Sequence, residues 1–503
     1  MKNILFTSAI SFLLFFGKSD NSFSQTIAAG RGHTLALCSD NSVQAWGNSW
    51  FGQVGDDTII DRWSPVDVMS PANYGITALA AGWSHSLALK NNGTLLTWGN
   101  NQYGQLGDNT ITDRWTPVFV HGQNDIGLLS GIVAIAGGYG HSIALKNDGT
   151  VWTWGRNDYG QLGDNTLNSS YVPVQVHGPA DVGFLSGIIA VTAGWYHCLA
   201  LKNDGTVWSW GWNDNGQLGD STKISKSVPV QIVGAGNMGF LSGIIGIAAG
   251  RVNSFALKND GTVWSLGWNN YGQLGDNTLN EQWVPVQMHG AGNIGFLTGI
   301  TKIASGRSHF LALKNDGTVW ACGWNTYGQL GDNSMTDGIT PVQVRGPGNA
   351  GFLTGITEII GGGIHSFAVK NDGTRWIWGD NTYGQIGDNS TTKRLTPVQP
   401  AGLCSSSTTD VSQTQENNWE LFFNNLVTGE ELQGTLFLSE DTKLRIEILD
   451  LNGRRIKEES IQGIRGINKL NIDLAHAASG IYLLRISGAE KQVIVKFVKA
   501  SAK

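Results

Sequence analysis

Charge is scarce in this chain of 503 residues. Only 14% of residues are Asp, Glu, Lys or Arg, and the formal net charge is −6. Neutralising nucleic-acid phosphates takes a concentrated basic face, so no nucleic-acid partner is expected. Cysteine is scarce as well. Cys38, Cys198, Cys322 and Cys404 are too few for a disulfide framework in a chain of this length, and no CxxC pair offers a zinc site. Beyond the N-terminus no run reaches the length of a membrane span, so no transmembrane helix is expected. No P-loop or HExxH motif occurs, and no Ser/His/Asp or Cys/His set stands out. Catalytic residues, metal and cofactor are accordingly all assigned as none.

The N-terminus has the layout of an export signal. Lys2 supplies a positive start, Ile4 to Phe16 is apolar apart from small residues, and Ser22-Phe23-Ser24 is a small-x-small cleavage site before Gln25. Residues 1–24 are therefore expected to be a signal peptide cut between Ser24 and Gln25. A secreted or outer-membrane-surface location follows.

Glycine and tryptophan are abundant, at 69 and 20 residues, and their placement is periodic. A Gly-Gln-Leu-Gly-Asp core, with close variants, begins at Gly52, Gly104, Gly160, Gly216, Gly272, Gly328 and Gly384. The first step is 52 residues and the other five are 56. A Gly-x-x-His marker keeps the same step from Gly30 to Gly362. Seven units thus fill residues 26–400, and each reads as four strands. In the third unit these are Ile132 to Ala136, His141 to Leu145, Val151 to Gly155 and Val172 to Val176, with "KNDGT" as an Asp-Gly hairpin turn between the second and third. Seven such units, each with an apolar face to cover, predict a seven-bladed β-propeller rather than an open solenoid.

The same residues carry a resemblance. Trp-Gly-x-Asn-x-Tyr-Gly-Gln-Leu-Gly, then x-Pro-Val-x-Val, then Ile-Ala-Ala-Gly-x-x-His-Ser-x-Ala-Leu is similar to the repeat of the regulator-of-chromosome-condensation family, whose members are seven-bladed propellers. Asn253 departs from the His position, Leu266 and Cys322 from the second Trp, and Asn215 from the Tyr. The family contains exchange factors for Ras-like GTPases and secreted inhibitors of β-lactamases, so the resemblance implies exchange-like activity as one alternative. Should a blade begin at its third strand, the N-terminal strand pair would complete the last blade. Cys38 and Cys404 would then be a candidate disulfide across the seam.

Residues 401–415 contain "SSSTTDVSQTQ" and read as a polar linker. Residues 416–503 alternate as strands, with Lys443 to Leu449, Leu470 to Leu474, Gly480 to Ile486 and Val493 to Val498 in a small antiparallel β-sandwich. "EILDLNGRRI … INKLNIDLAHAASGIYLLRI" resembles the C-terminal sorting domain of type IX secretion. That resemblance implies the secretion machinery as a partner. The expected fold class is all-β, a propeller plus a sandwich.

Two repeated polar series weigh against chemistry. The loop Asp residues (Asp56, Asp108, Asp164, Asp220, Asp276, Asp332, Asp388) lack the alternating spacing of a calcium loop and read as Asx-turns. The strand-two His residues (His33, His85, His141, His197, His309, His365) read as buried groups hydrogen-bonded to a neighbouring backbone group, because Asn253 serves in the seventh place. Strand direction then sorts the loops. One face carries the near-identical "KNDG" and "HGxxNxGFLSG" loops; the other carries the positions that differ between units. There lie Trp83, Tyr139, Trp195, Arg251 and Arg307 in the first loop, Arg156, Trp212, Trp268 and Trp324 after Trp-Gly, and Trp283 before the strand-four Pro. Trp and Arg at such positions are the residues of binding anchors. The expected function is non-enzymatic recognition of a protein or glycan at the cell surface through this face. An extracellular enzyme with a site in the central channel is the other alternative, distinguished by whether His and Asp side chains converge on the axis.

Overall fold

The computed structural model describes residues 27–69, 75–404 and, between 420 and 499, eight strands with most of their connections. The expected signal peptide with its Ser24/Gln25 cut, and residues 405–415 of the linker, lie outside the described residues. Seven four-stranded antiparallel sheets follow one another along the chain. They form blades one to seven at 27–67, 76–119, 132–175, 188–231, 244–287, 300–343 and 356–398. Five short 3-10 turns are present, and no helix among the described residues is long and apolar enough to cross a membrane.

Each blade uses its strands in chain order, with the first strand nearest the axis. In the third blade these are Ile132–Gly137, His141–Lys146, Val151–Gly155 and Ser170–Gln175. The fourth strand begins two residues earlier than the alternation suggests, because Ser170 pairs with Gly155 across a register shift. The seam departs from the sequence expectation of a shared last blade. Ile27–Ala29 pairs with His33–Leu37 of its own unit, so no strand is exchanged. Short turns join the first three strands and the longer Gly-rich loop joins the third to the fourth, all within one unit, and local pairing has the smaller loop-closure cost.

Blades are held to one another in three ways. Seven apolar clusters each draw residues from two successive blades; one joins Trp46 and Ile27 of blade one to Phe367, Ile377 and Ile386 of blade seven. A backbone ring circles the axis, in which Arg31 N donates to Trp83 O, Trp83 N to Gly138 O, Tyr139 N to Trp195 O, Trp195 N to Arg251 O, Arg251 N to Arg307 O, Arg307 N to Gly363 O and Gly363 N to Gly30 O, at 2.7–3.3 Å. The third tie is a side-chain relay. His85 Nε2 lies 3.0 Å from Ser142 Oγ of the next blade. Ser142 Oγ donates back to the carbonyl of Gln105 at 2.8 Å, and Trp154 Nε1 donates to that same carbonyl at 2.9 Å. Since the hydroxyl's proton is committed to the carbonyl, His85 Nε2–H is the donor in the first bond.

The relay recurs at the other boundaries with informative substitutions. Cys198 takes the Ser place opposite His141, and Thr34 takes it at the seam opposite His365. Between blades five and six Phe310 stands in the Ser place and packs on Phe255 with the rings tilted and their centroids 4.6 Å apart. With no hydroxyl opposite, Asn253 turns to the Trp268 carbonyl of its own blade. The His side chains thus meet a neighbouring blade's hydroxyl or thiol, not a backbone group.

A disulfide between Cys38 and Cys404, with Cα atoms 5.4 Å apart, joins the last described residue of the propeller to blade one. Residues 401–404 are tied down further by Ala401 N donating to Gly387 O and Cys404 N to Gln44 Oε1. The C-terminal strands make a three-stranded sheet (Glu420–Phe423, Glu431–Leu438, Gly466–Asp473) and a five-stranded sheet (Leu426–Val427, Thr442–Asp450, Arg455–Gly463, Gly480–Ser487, Gln492–Lys499). Leu432, Leu436 and Ile472 of one pack with Ile446, Ile448 and Leu484 of the other. Its pairings are antiparallel except that Leu426–Val427 runs parallel to Gln492–Lys499.

Two outcomes follow. Burial lowers the pKa of His33, His85, His141 and His309 to about 3 and of His197 and His365 to about 4. The unfolded chain then binds more protons than the fold below pH ~6.5, so stability is level above about pH 7 and falls as the pH drops toward ~4, by up to ~1.4 kcal/mol per pH unit for each His. Denaturant midpoints between pH 7.5 and 4.5 should show a shallower acid slope for His85→Asn than for the wild type; parallel slopes would refute the assignment. Separately, Cys404→Ser should lower unfolding free energy by about 2–4 kcal/mol, read by chemical denaturation with and without reductant, and an unchanged midpoint would mean that the seam does not need the bond.

Candidate functional site

The Gly-rich loop between strands three and four is held mainly by its own hydrogen bonds, although the buried Gln161 Nε2 of blade three has no partner. In blade three Asn157 Oδ1 accepts from Leu162 N at 2.9 Å, while its Nδ2 donates to Asp164 Oδ1 at 3.1 Å. Asp164 Oδ1 also accepts from the Thr166 N–H at 3.1 Å, which is an Asx-turn. In blades one, two and seven the equivalent Asp pairs with an arginine, Arg62, Arg114 and Arg394. Gly160 shows why the loop is so regular. It has φ +78°, and a Cβ there would lie 2.6 Å from Ser227 Cα on the next blade. These loops are the seats on which neighbouring blades rest.

The channel wall is Gly, Ala and Ser from the first strands, with Arg31, Trp83, Trp195, Arg251 and Arg307 at one mouth. His and Asp do not converge on the axis: the strand-two His residues are buried between blades, and among the described residues no group of His, Cys, Asp and Glu has metal-site geometry.

That one mouth gathers the residues that break the repeat. The first loops of blades two, three and four place Trp83, Tyr139 and Trp195 in mutual contact, with Trp83 and Trp195 edge-to-face at 4.4 Å between centroids. Tyr196 extends the cluster to Trp212 at 5.7 Å, and Tyr159 packs on both. Arg156 lies over Tyr103 and Tyr196 and pairs with Asp158. A second run of rings comprises Trp268, Tyr271, Trp324 and Tyr327 at 5.2–5.5 Å. Two arginines join the runs. Arg251 sits 4.1 Å from the Trp195 ring and 5.9 Å from Trp268; Arg307 sits 5.1 Å from Trp195, 5.6 Å from Trp324 and 5.9 Å from Trp83.

Trp212, Trp268 and Trp324 are therefore linked through tyrosines and arginines, and all three are half-buried. The rings form a packed floor, not a set of free-standing anchors. Trp283 lies apart. It is 43% exposed, rests against Gly216 of the preceding blade, donates Nε1 to Glu281 and has Lys223 over its ring.

Sequence reasoning did not single out Tyr159, Tyr196 and Tyr271. Two belong to the repeated Asn-x-Tyr-Gly-Gln stretch, so repetition hid their contact role. The opposite face is not plain scaffold either: Ile126, Val182, Met238 and Ile294, on successive 3-10 turns, are 76–81% exposed.

Comparison with known proteins places this geometry. Residues 179–442 match the family model described as an RCC1-like domain, and residues 40–89, 92–145 and 148–201 match the regulator of chromosome condensation (RCC1) repeat. Residues 432–500 match the secretion system C-terminal sorting domain. The ultraviolet-B receptor UVR8 of Arabidopsis thaliana is 30% identical over 372 residues, spanning 74% of this chain and 80% of that protein. The probable E3 ubiquitin-protein ligase HERC4 of Homo sapiens is 33% identical over 61% of this chain, which corresponds to only 32% of HERC4. Among solved structures, human WBSCR16 aligns with a TM-score of 0.57 at 26% identity, covering 68% of this chain and 85% of that one. Yeast RCC1 (Prp20) bound to Kap60 aligns with a TM-score of 0.59 at 20% identity, covering 80% and 92%.

Proposed function

Because the chain belongs to the regulator of chromosome condensation (RCC1) repeat family and carries a secretion system C-terminal sorting domain, we propose that it is an exported recognition protein that holds a protein or glycan partner on one propeller face. The sorting domain supports secretion or display at the outer-membrane surface, with the secretion machinery as a further partner. The reading rests on the aromatic and arginine floor at the channel mouth: Trp83, Tyr139, Trp195, Trp212, Arg251, Trp268, Arg307 and Trp324 occupy positions where the repeat leaves residue choice free, yet they converge on one area. Large aromatic and Arg side chains that gather without being fully buried are what interface hot spots are made of. A channel wall of Gly, Ala and Ser favours recognition over catalysis.

The test compares what the full-length exported chain captures from its native surface with what two variants capture. Trp212→Ala/Trp268→Ala/Trp324→Ala alters the floor, and Met238→Asp/Ile294→Asp alters the opposite face. Capture should be lost in the first and kept in the second, with far-UV circular dichroism unchanged in both. Loss only in the opposite-face variant would transfer the binding surface to the apolar tips of the 3-10 turns.

A further inference from the structure

The floor carries an imbalance of charge at its centre. Arg31, Arg251 and Arg307 stand on the first loops of blades one, five and six, and each is half-buried. Four other arginines of the propeller have carboxylates, Arg62–Asp56, Arg114–Asp108, Arg156–Asp158 and Arg394–Asp388, while Arg345 lies over Phe352 and Arg375 donates to Cys404, both away from this mouth. Among the described residues these three have none, and what they face instead is rings: Arg31 over Trp83 at 4.5 Å, Arg251 over Trp195, and Arg307 between Trp83, Trp195 and Trp324. An indole face attracts a cation but takes up few of the five N–H donors of a guanidinium. Arg251 Nε is enclosed and has no hydrogen-bond partner. Burial lowers the Arg251 and Arg307 pKa values, and the nearby Arg251 and Arg31 charges lower that of Arg307 further. Three cations are thus brought within reach of one another, partly out of water, with nothing of opposite sign between them. An arrangement of that kind gains most from an anion.

The shape of the site narrows the anion. The well beneath the three arginines has a cavity volume of about 100 Å³ and a Gly- and Ala-lined wall. It has room for a small group on a narrow stem. Sugar rings bind by laying a face on an open aromatic face, but here Trp83, Trp195 and Trp324 are already covered by guanidiniums or by other rings. Gly363 holds the equivalent place in blade seven, where a Cβ would lie 2.5 Å from Arg31 Cα, so that side of the mouth carries no side chain.

We propose that the centre of this face is an anion site that takes an Asp or Glu carboxylate presented on an acidic loop of a protein partner. The inference rests on the recognition reading given above and specifies its chemistry. The carboxylate would share the N–H donors of Arg251, Arg307 and Arg31, which stay in place over their rings.

The full chain can be titrated with a short peptide of alternating Gly and Asp, its counterpart with Asn for Asp, and a sulfated heparin oligosaccharide, followed by tryptophan fluorescence and calorimetry. The Asp peptide should bind saturably and lose affinity as salt rises, and the Asn peptide should not bind. Arg251→Gln or Arg307→Gln should weaken the Asp peptide by about tenfold or more, with Arg→Lys at either place losing less. Thermal midpoints of the Gln variants should stay level or rise, because each removes like-charge repulsion. Equal binding of both peptides, binding of the oligosaccharide alone, or undiminished affinity in the Gln variants would each overturn the proposal. So would a sharply lowered midpoint with no peptide binding, which would make the arginines structural. If the tryptophan triple variant loses its captured partner while the Asp peptide never binds, the anion inference fails and the recognition face stands.

Discussion

Everything in the propeller hangs on one backbone carbonyl per blade boundary. The Gln105 carbonyl, at the tip of a Gly-rich loop, receives two donors from the next blade, the Ser142 hydroxyl and the Trp154 indole. Both lone pairs are used, and the Ser hydroxyl is held by His85 in turn. A buried carbonyl left without donors is costly, so the contact fixes where each blade stands relative to its neighbour. It also accounts for residue identities that look unrelated in the sequence: a His in one blade, a Ser and a Trp in the next. Single members also change alone, as Cys198 does opposite His141 and Leu266 does at the Trp place beside Ser254. At the boundary of blades five and six Phe310, Asn253 and Cys322 depart together: the Phe255 and Phe310 rings pack on each other, while Cys322 Sγ still donates to the Gln273 carbonyl.

A ring fixed in this way leaves its loop tips free to vary. On one face that freedom is filled by rings and guanidiniums that satisfy each other only partly. Aromatic packing and cation–π contacts stabilise the cluster, while the cations at its centre lack counter-charges. On the opposite face the loops repeat closely and put aliphatic tips into solvent. The two faces therefore differ in kind: one is electrostatically unfinished, the other apolar.

The fold was legible because it is written seven times. A step of 56 residues with Asp-Gly turns and alternating strands leaves little choice but a closed ring of four-stranded units. The seam was harder to read, since which strands share a sheet depends on loop-closure cost and not on residue pattern; Ile27–Ala29 stays with its own blade. The His residues could be identified as structural from Asn253, but their hydroxyl partners lie 53 or 57 residues away, and 331 at the seam, beyond what local alternation reveals. The site was half legible. Exceptions to the repeat pointed to Trp83, Trp195, Arg251 and Arg307. Tyr159 and Tyr271, which link the rings, were masked by belonging to the repeat, and the burial of Trp212 could not be inferred from its loop position.

The Cys38–Cys404 bond joins residues 366 apart in sequence and makes the propeller a covalently closed loop with the sorting domain hanging from its end. Tension applied through that C-terminal segment enters at Cys404 and passes at once into blade one, by way of a sulfur–sulfur bond. It does not run through the hydrogen bonds of blade seven, whose outer strand would otherwise be the first to peel. A partner pulling on the face and an attachment pulling on the tail would load the ring as a clasped bracelet, with the blades as links and the cystine as the clasp.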